Sequence, residues 1–139
     1  MSLNQGGTIE DSYAAGAVVG GNDTSIGGLV GTNQGGNQDS TISFSYSTGA
    51  VNGGTGSMVG GLIGADGAPP GSLTDTYWDT ETSGQNQGAG NVANDPGITG
   101  LTTAQFQSGL PAGFNPKIWN EKSNTDDGFP YLLANKPGK

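Results

Sequence analysis

Short apolar runs alternate with glycine- and asparagine-rich corners along the first half of the chain, without helical periodicity. Residues 8–18 align with residues 41–51 at an offset of 33, and the alignment continues without a gap to Gly31 and Gly64. A third copy begins at Leu73 and breaks off after Tyr77. The pattern predicts an all-β repeat architecture with units near residues 8–40 and 41–71 and a partial unit over 72–95.

The repeated apolar positions predict how the units bury their non-polar surface. One unit of short strands cannot cover its own apolar side, whereas consecutive units that stack bury it in columns of equivalent side chains. The expected columns are Ile9/Ile42/Leu73, Tyr13/Tyr46/Tyr77, Val18/Val51 and Ile26/Val59. We therefore expect a short right-handed parallel β-helix (β-solenoid) of about two and a half turns over residues 1–95.

An antiparallel sandwich or meander is the competing interpretation. Asn52-Gly53 between two β-like runs is a strong hairpin signal, and it would pair residues 45–51 with residues 57–63. The first unit carries Val19-Gly20 at the equivalent place, so the corner does not depend on the Asn-Gly pair. The two architectures are distinguishable because the column architecture places Tyr13 beside Tyr46.

The repeat is similar to a sequence family of bacterial surface proteins. Three elements follow one another in a fixed order: Gly27-Gly28-Leu29-Val30-Gly31, then Asn33-Gln34-Gly35-Gly36, then Ser45-Tyr46-Ser47-Thr48-Gly49-Ala50-Val51. This order resembles the GLUG repeat of filamentous-haemagglutinin-like adhesins and related exoproteins. The resemblance implies a β-helical fold, a secreted or cell-surface location, and an adhesive or scaffold role without catalytic residues. Ala68-Pro69-Pro70-Gly71 departs from the Asn-x-Gly-Gly corner, which predicts that the solenoid ends there.

The C-terminal segment, residues 96–139, has a different chemistry and resembles the segment that follows such repeats in many of these adhesins. It contains five of the seven Pro and all the Lys. Thr102-x-x-Gln105 is a capping-box signature, which predicts one short helix over residues 103–108. Six apolar side chains are expected to plug the last turn of the solenoid: Phe106, Phe114, Trp119, Phe129, Tyr131 and Leu132. We predict an irregular cap over residues 96–139, with a separate binding lobe as the alternative.

Composition excludes several chemistries. The 139 residues include 28 Gly, 12 acidic side chains and 4 Lys, with no His, Cys or Arg. A Ser-His-Asp triad, a cysteine nucleophile and an imidazole- or thiolate-bound metal are therefore ruled out. All four Lys lie at or after position 117, so a phosphate-tracking surface and a nucleic-acid partner are not expected. No signal peptide or membrane span is recognisable, and we expect a fragment of a longer, repeat-containing exported chain.

The most site-like cluster surrounds Tyr77 and Trp78, which Asp79 and Glu81 follow closely. Carboxylates beside aromatic rings are what sugar-binding and glycosidic sites use, so these four residues are a possible ligand platform. Asp75 and Asp79 are expected on one strand face, whereas catalytic pairs usually face each other across a cleft. A structural role at the junction of repeats and cap is the other interpretation. No catalytic, cofactor-binding or metal-binding residue is predicted, and residues 124–128 only faintly resemble a calcium loop.

Together these observations predict a non-catalytic repeat module of a secreted or cell-surface bacterial adhesin. It would act as a structural stalk and adhesion scaffold, without cofactors. The expected partner is a receptor or glycan on a host or neighbouring cell. The alternatives are a carbohydrate-binding or carbohydrate-cleaving β-helix module and a calcium-dependent surface module.

Overall fold

The computed structural model describes residues 1–137, which form short β-strands and almost no helix. The strands are β1 (Leu3–Gln5), β2 (Thr8–Glu10), β3 (Tyr13–Ala14), β4 (Val18–Val19), β5 (Ser25–Gly27), β6 (Val30–Gln34), β7 (Thr41–Ser43), β8 (Tyr46–Ser47), β9 (Val51–Asn52), β10 (Met58–Gly60), β11 (Ile63–Gly67), β12 (Leu73–Thr74), β13 (Thr76–Asp79), β14 (Ile98–Leu101), β15 (Trp119–Asn120) and β16 (Tyr131–Leu132). The helical elements are α1 (Thr103–Phe106) and two 3-10 turns, Asp126–Gly128 and Leu133–Asn135. The predicted all-β class is confirmed.

Equivalent strands of the first two units pair in parallel. The register places equivalent residues opposite each other in all four predicted columns: Ile9 and Ile42, Tyr13 and Tyr46, Val18 and Val51, Ile26 and Val59. The Asn-Gly hairpin does not form, because β9 pairs with β4 and β10 pairs with β5, in both cases across units. The antiparallel alternative is therefore wrong for this segment.

Five small parallel sheets result from this pairing. Their strand orders are β1-β6-β11, β12-β7-β2, β14-β13-β8-β3, β10-β5 and β4-β9. A sixth sheet, β15-β16, is antiparallel and belongs to the C-terminal segment. Each repeat contributes one strand to several sheets, so neighbouring positions of the chain are held by different sheets.

The third unit continues the parallel pairing at a shorter spacing. Leu73 lies opposite Ile42 and Tyr77 opposite Tyr46, each 31 residues apart, and Ala89 bridges to Ile63. Strand β14, from the segment predicted as a cap, then pairs in parallel with β13. The expectation that stacking ends at the corner over residues 68–71 is wrong, because this corner shortens the unit without interrupting the columns.

One residue of each unit adopts a left-handed backbone conformation at the same register. Asp11, Phe44 and Asp75 have φ between 46° and 48°, and each separates two strands of its unit. An unbroken strand would place Ile42 and Tyr46, four residues apart, on the same face. The left-handed residue breaks this alternation, and Ile42 and Tyr46 pack in different clusters. Asp75 is itself the left-handed residue of the third unit, so strand alternation does not relate it to Asp79. The expectation that both lie on one strand face is therefore wrong.

Two apolar clusters follow from this break. The aliphatic cluster contains Val30, Ile42, Leu62, Ile63, Leu73, Trp78 and Ala89. The aromatic cluster contains Tyr46, Tyr77, Phe106, Phe114 and Trp119, with Tyr13 packed against it. Tyr13 and Tyr46 stack with ring centroids 5.3 Å apart, as the column architecture requires.

The C-terminal segment packs along the side of the tyrosine column. Its capping box forms as predicted, since Thr102 accepts from the Gln105 backbone N–H, and α1 ends at Phe106, earlier than expected. The expectation that its aromatic side chains plug the last turn is wrong. Trp119 contacts both Tyr13 and Tyr46, while Phe114 contacts Tyr46 and Tyr77. The segment therefore spans all three units, and residues 138 and 139 of the predicted cap lie outside the described residues.

Candidate functional site

Strand β13 and the turn after it hold the four residues of the predicted ligand platform. Tyr77 and Trp78 are consecutive, so their side chains leave opposite faces of the strand. Tyr77 belongs to the aromatic cluster and Trp78 to the aliphatic cluster. The structure therefore does not bring the two rings together on one surface.

Tyr77 is held by the C-terminal segment. Its hydroxyl donates a hydrogen bond to the Ala112 carbonyl oxygen over 2.7 Å, and its ring meets Phe114 edge-on. Burial raises the pKa of Tyr77, and the nearby Asp75 carboxylate adds to the shift. The phenol is a neutral donor that anchors residues 111–114 to the third unit.

Trp78 fills space that glycine and small residues leave free. The positions opposite Trp78 on neighbouring strands are Ser47 and Gly100. A Cβ at Gly61 would lie 2.0 Å from Trp78 Cδ1, so glycine is required where the indole packs against the second unit. The indole Nε1 donates to the Gln85 carbonyl oxygen over 2.9 Å. Trp78 is 8% exposed, so at most an edge of its ring is accessible and neither aromatic face lies open as a platform.

Asp79 and Glu81 hold the junction between β13 and α1. Asp79 is fully buried, and its Oδ1 accepts from the backbone N–H groups of Glu81 and Thr82. Its Oδ2 accepts from the Thr103 hydroxyl, while Glu81 accepts from the Thr103 backbone N–H. Both carboxylates thus accept a hydrogen bond from Thr103 at the start of α1. This is the structural role that the sequence offered as the alternative to a ligand platform.

A polar ladder crosses the sheet formed by β1, β6 and β11. Asn4 Nδ2 donates to Asn33 Oδ1 over 3.0 Å, and Asn33 Nδ2 donates to Asp66 Oδ1 over 2.8 Å. Asn91 extends the ladder through two hydrogen bonds with the Asp66 backbone. This ladder was not predicted from the sequence, although Asn4-Gln5-Gly6-Gly7 recurs as Asn33-Gln34-Gly35-Gly36 and so places Asn4 and Asn33 at equivalent positions.

Asp66 also lies beside a second carboxyl group, that of Asp95. Burial raises the pKa of Asp95 to about 7, and the neighbouring Asp66 carboxyl adds to the shift. Asp95 Oδ2 is buried and has no hydrogen-bond partner among the described residues. Within residues 1–137, no group of three or more acidic, His or Cys side chains is arranged to hold a metal ion.

The end of the stack formed by the first unit presents unpaired strand edges. Strands β1 to β5 each have a partner on one side only, at the edge of their sheets. Val51 is fully buried in the second unit, whereas its counterpart Val18 at this end is only half-buried. A groove of about 390 Å³ lies here between Val18, Ile26 and Leu29. This end is open, while β14 covers part of the opposite end.

Over the described range, no helix is long and apolar enough to cross a membrane.

Known proteins offer no close match to this arrangement. Comparisons with protein-family models, with curated proteins and with solved structures gave no match to this chain.

Proposed function

We propose that the chain is a non-catalytic repeat module of a secreted or cell-surface bacterial adhesin, serving as structural stalk and adhesion scaffold. In this proposal the parallel sheets wind into a short right-handed β-solenoid over residues 1–95, and the segment after residue 95 covers its side. The partner is a receptor or glycan on a host or neighbouring cell.

The observation that carries the proposal is the register between units. The residues that recur in the sequence are those that pair across units, and their side chains fill the two apolar clusters. The repeated pattern is thus used for stacking, which is what an extended stalk requires.

The polar residues with the most site-like sequence context also serve the architecture. Asp79 and Glu81 bind the start of α1, and Asn33 links neighbouring units. These contacts support a structural role for groups that would otherwise be candidates for catalysis. Contacts with a cell surface would then involve corners and exposed strand edges, and affinity would arise from many weakly binding copies.

The test of the adhesin role is a surface-binding experiment with the chain at two valencies. Beads that display many copies, and the free monomer, are applied to arrays of glycans and matrix proteins, with and without calcium. We expect the beads to bind selectively and the monomer weakly, because multivalency multiplies a weak affinity. Beads that bind nothing beyond the level of beads coated with an unrelated acidic protein would contradict the proposal.

The same array separates the carbohydrate-cleaving alternative. Release of sugar fragments by the wild-type chain, lost in Glu81→Gln, would identify an enzyme. Glu81 is exposed, so this substitution leaves the fold intact, whereas the buried Asp79 would not permit that inference. For the fold, a crystal structure with left-handed winding or an open sandwich would contradict the solenoid.

A further inference from the structure

A second cavity lies at the covered end of the stack. It has a volume of about 420 Å³ and lies between residues 86–89, the turn over residues 93–95 and strand β14. The polar residues among its lining are Asn86, Gln87, Asn94, Asp95 and Thr99. Its size falls in the range of small-molecule sites, about 300–1,000 Å³. We call it the Trp78 pocket.

The floor of the Trp78 pocket is the edge of the six-membered ring of the indole, together with Ile98. Glycines border this ring on two sides. A Cβ at Gly88 would lie 2.9 Å from Cε3 and Cζ3, and one at Gly100 would lie 3.0 Å from Cη2 and Cζ2. Because neither glycine carries a side chain, the ring edge lines the cavity directly. The hydrogen bond from Nε1 to Gln85 fixes the ring in place.

The rim consists of polar side chains that the chain itself leaves unused. Asn86, Gln87 and Asn94 line the cavity and make no side-chain hydrogen bond to another described residue, whereas the Asp95 carboxyl lies beside that of Asp66. Asn91 differs although it lies in the same segment, because it forms two hydrogen bonds with Asp66. Three amide side chains therefore border an apolar floor with their hydrogen-bonding capacity free.

The charges of the molecule indicate which kind of ligand the Trp78 pocket would bind. The net charge is −8, all the lysines lie at or after position 117 in the sequence, and none of the described lysines lines this pocket. Asp95 is the ionisable side chain of the lining, so an anionic ligand would be repelled, and no cationic side chain there would bind it. A neutral ligand with many hydroxyl groups and an apolar C–H face matches both rim and floor.

We propose that the Trp78 pocket binds a neutral sugar ring. The apolar face of the sugar contacts Ile98 and the accessible edge of Trp78, and its hydroxyl groups exchange hydrogen bonds with Asn86 and Asn94. The site differs from the platform predicted from sequence, since of those four residues it uses Trp78 alone. It does not depend on the adhesin role, because a stalk without a sugar site and a sugar site without a stalk are both possible outcomes.

The test is a titration of the full chain, followed through the two indole N–H resonances in a nitrogen–proton correlation spectrum. The probes are neutral trisaccharides of glucose, galactose, mannose and N-acetylglucosamine, with sulfated forms of the same sugars for comparison. We expect one neutral probe to shift the Trp78 resonance. Trp119 is an internal control, because it is fully buried and bonded to Asp11. The sulfated form should bind more weakly.

Variants then assign the binding to the rim. Asn86→Ala and Asn94→Ala remove exposed side chains and should each weaken binding about tenfold, which corresponds to the loss of one hydrogen bond. Asn37→Ala, an exposed asparagine at a different corner, is the matched control and should bind like wild type. Asp95→Asn keeps the hydrogen-bonding groups and removes the charge, so it should retain binding.

Three results would overturn the proposal. They are an unmoved Trp78 resonance with every neutral probe at tens of millimolar, stronger binding of the sulfated forms, and equal affinity of the Asn94→Ala and Asn37→Ala variants. Each spectrum also reports whether the variant is folded, so a loss of binding through unfolding is recognised directly.

Discussion

The indole Nε1 of Trp119 donates a hydrogen bond to Asp11 Oδ1 over 2.8 Å, across a sequence separation of 108 residues. Asp11 is the left-handed residue of the first unit, and Trp119 is fully buried against Tyr13 and Tyr46. The bond connects the C-terminal segment to the far end of the repeats and fixes its position along the tyrosine column.

This bond can be measured with a double-mutant cycle. Trp119→Phe keeps an aromatic ring without the donor, and Asp11→Gly removes the acceptor while suiting the positive φ of 46°. We expect a coupling free energy of about 1–2 kcal/mol between the two substitutions in chemical denaturation. Additive effects of the two substitutions would show that the bond contributes nothing to stability.

Tyr46 lies at the centre of the aromatic cluster. Its ring stacks on Tyr13 and contacts Phe106, Phe114 and Trp119, and its hydroxyl donates to the Pro130 carbonyl oxygen. Tyr46→Ala should lower the free energy of unfolding by about 3–5 kcal/mol, because it leaves a cavity that the rigid surroundings cannot fill. Ser43→Ala, at a half-buried position of the same unit, is the control. Similar losses in both variants would place Tyr46 outside the core.

Gly16 and Gly49 are equivalent positions of the repeat with opposite surroundings. A Cβ at Gly49 would lie 2.0 Å from the Gly16 carbonyl oxygen, whereas a Cβ at Gly16 meets nothing within 4 Å. Gly49→Ala should therefore destabilise the protein by about 1–3 kcal/mol through overpacking. Gly16→Ala should change stability by less than about 0.5 kcal/mol. Thermal unfolding of the pair checks this, and an equal response would contradict the close parallel stacking of the two units.

Asp95 predicts an unusual pH dependence of stability. Its pKa is about 7 in the folded chain, above the usual value of about 3.9 for the unfolded chain. The folded state therefore holds more protons between these values, and the free energy of unfolding should rise as the pH falls from about 8 to about 5. The burial of the carboxyl and the neighbouring Asp66 are the cause.

Asp95→Asn tests the assignment because it cannot ionise. Chemical denaturation of the variant should show a flatter profile over the same pH range and a higher stability than wild type at pH 8. An unchanged slope in Asp95→Asn would mean that another group titrates, and Asp126, whose pKa burial also raises, is the next candidate.

The repeat register was predictable because the same residue types recur at equivalent positions of the two units. Tyr13 and Tyr46 occur at the same place in two aligned segments, and parallel pairing is the arrangement that brings them together. The shortened third unit was harder to foresee, since its columns continue through Ala89 and Ile98 without the repeat motif. Trp78 packs there against Gly61, Gly88 and Gly100, and such a contact between a large ring and glycines leaves no periodic pattern in a sequence.

The candidate site was predictable only in part. The opposite faces of Tyr77 and Trp78 follow from the two-residue alternation of a strand, so their adjacency in the sequence already argues against a shared platform. The left-handed break at Asp75 could not be inferred in the same way. The equivalent position is Phe44 in the second unit, a residue type that rarely adopts positive φ.

The position of the C-terminal segment also implies an order of events during folding. Pairing between units joins residues 22 to 33 positions apart, whereas the contacts of Trp119 with Asp11 and of Pro130 with Tyr46 span 108 and 84. Shorter loops close at lower entropic cost, so the units assemble first and the C-terminal segment docks afterwards. On a ribosome the tyrosine column of a nascent chain would therefore stay uncovered until Trp119 and Pro130 have been synthesised, and a stop codon before those residues would leave that column facing water.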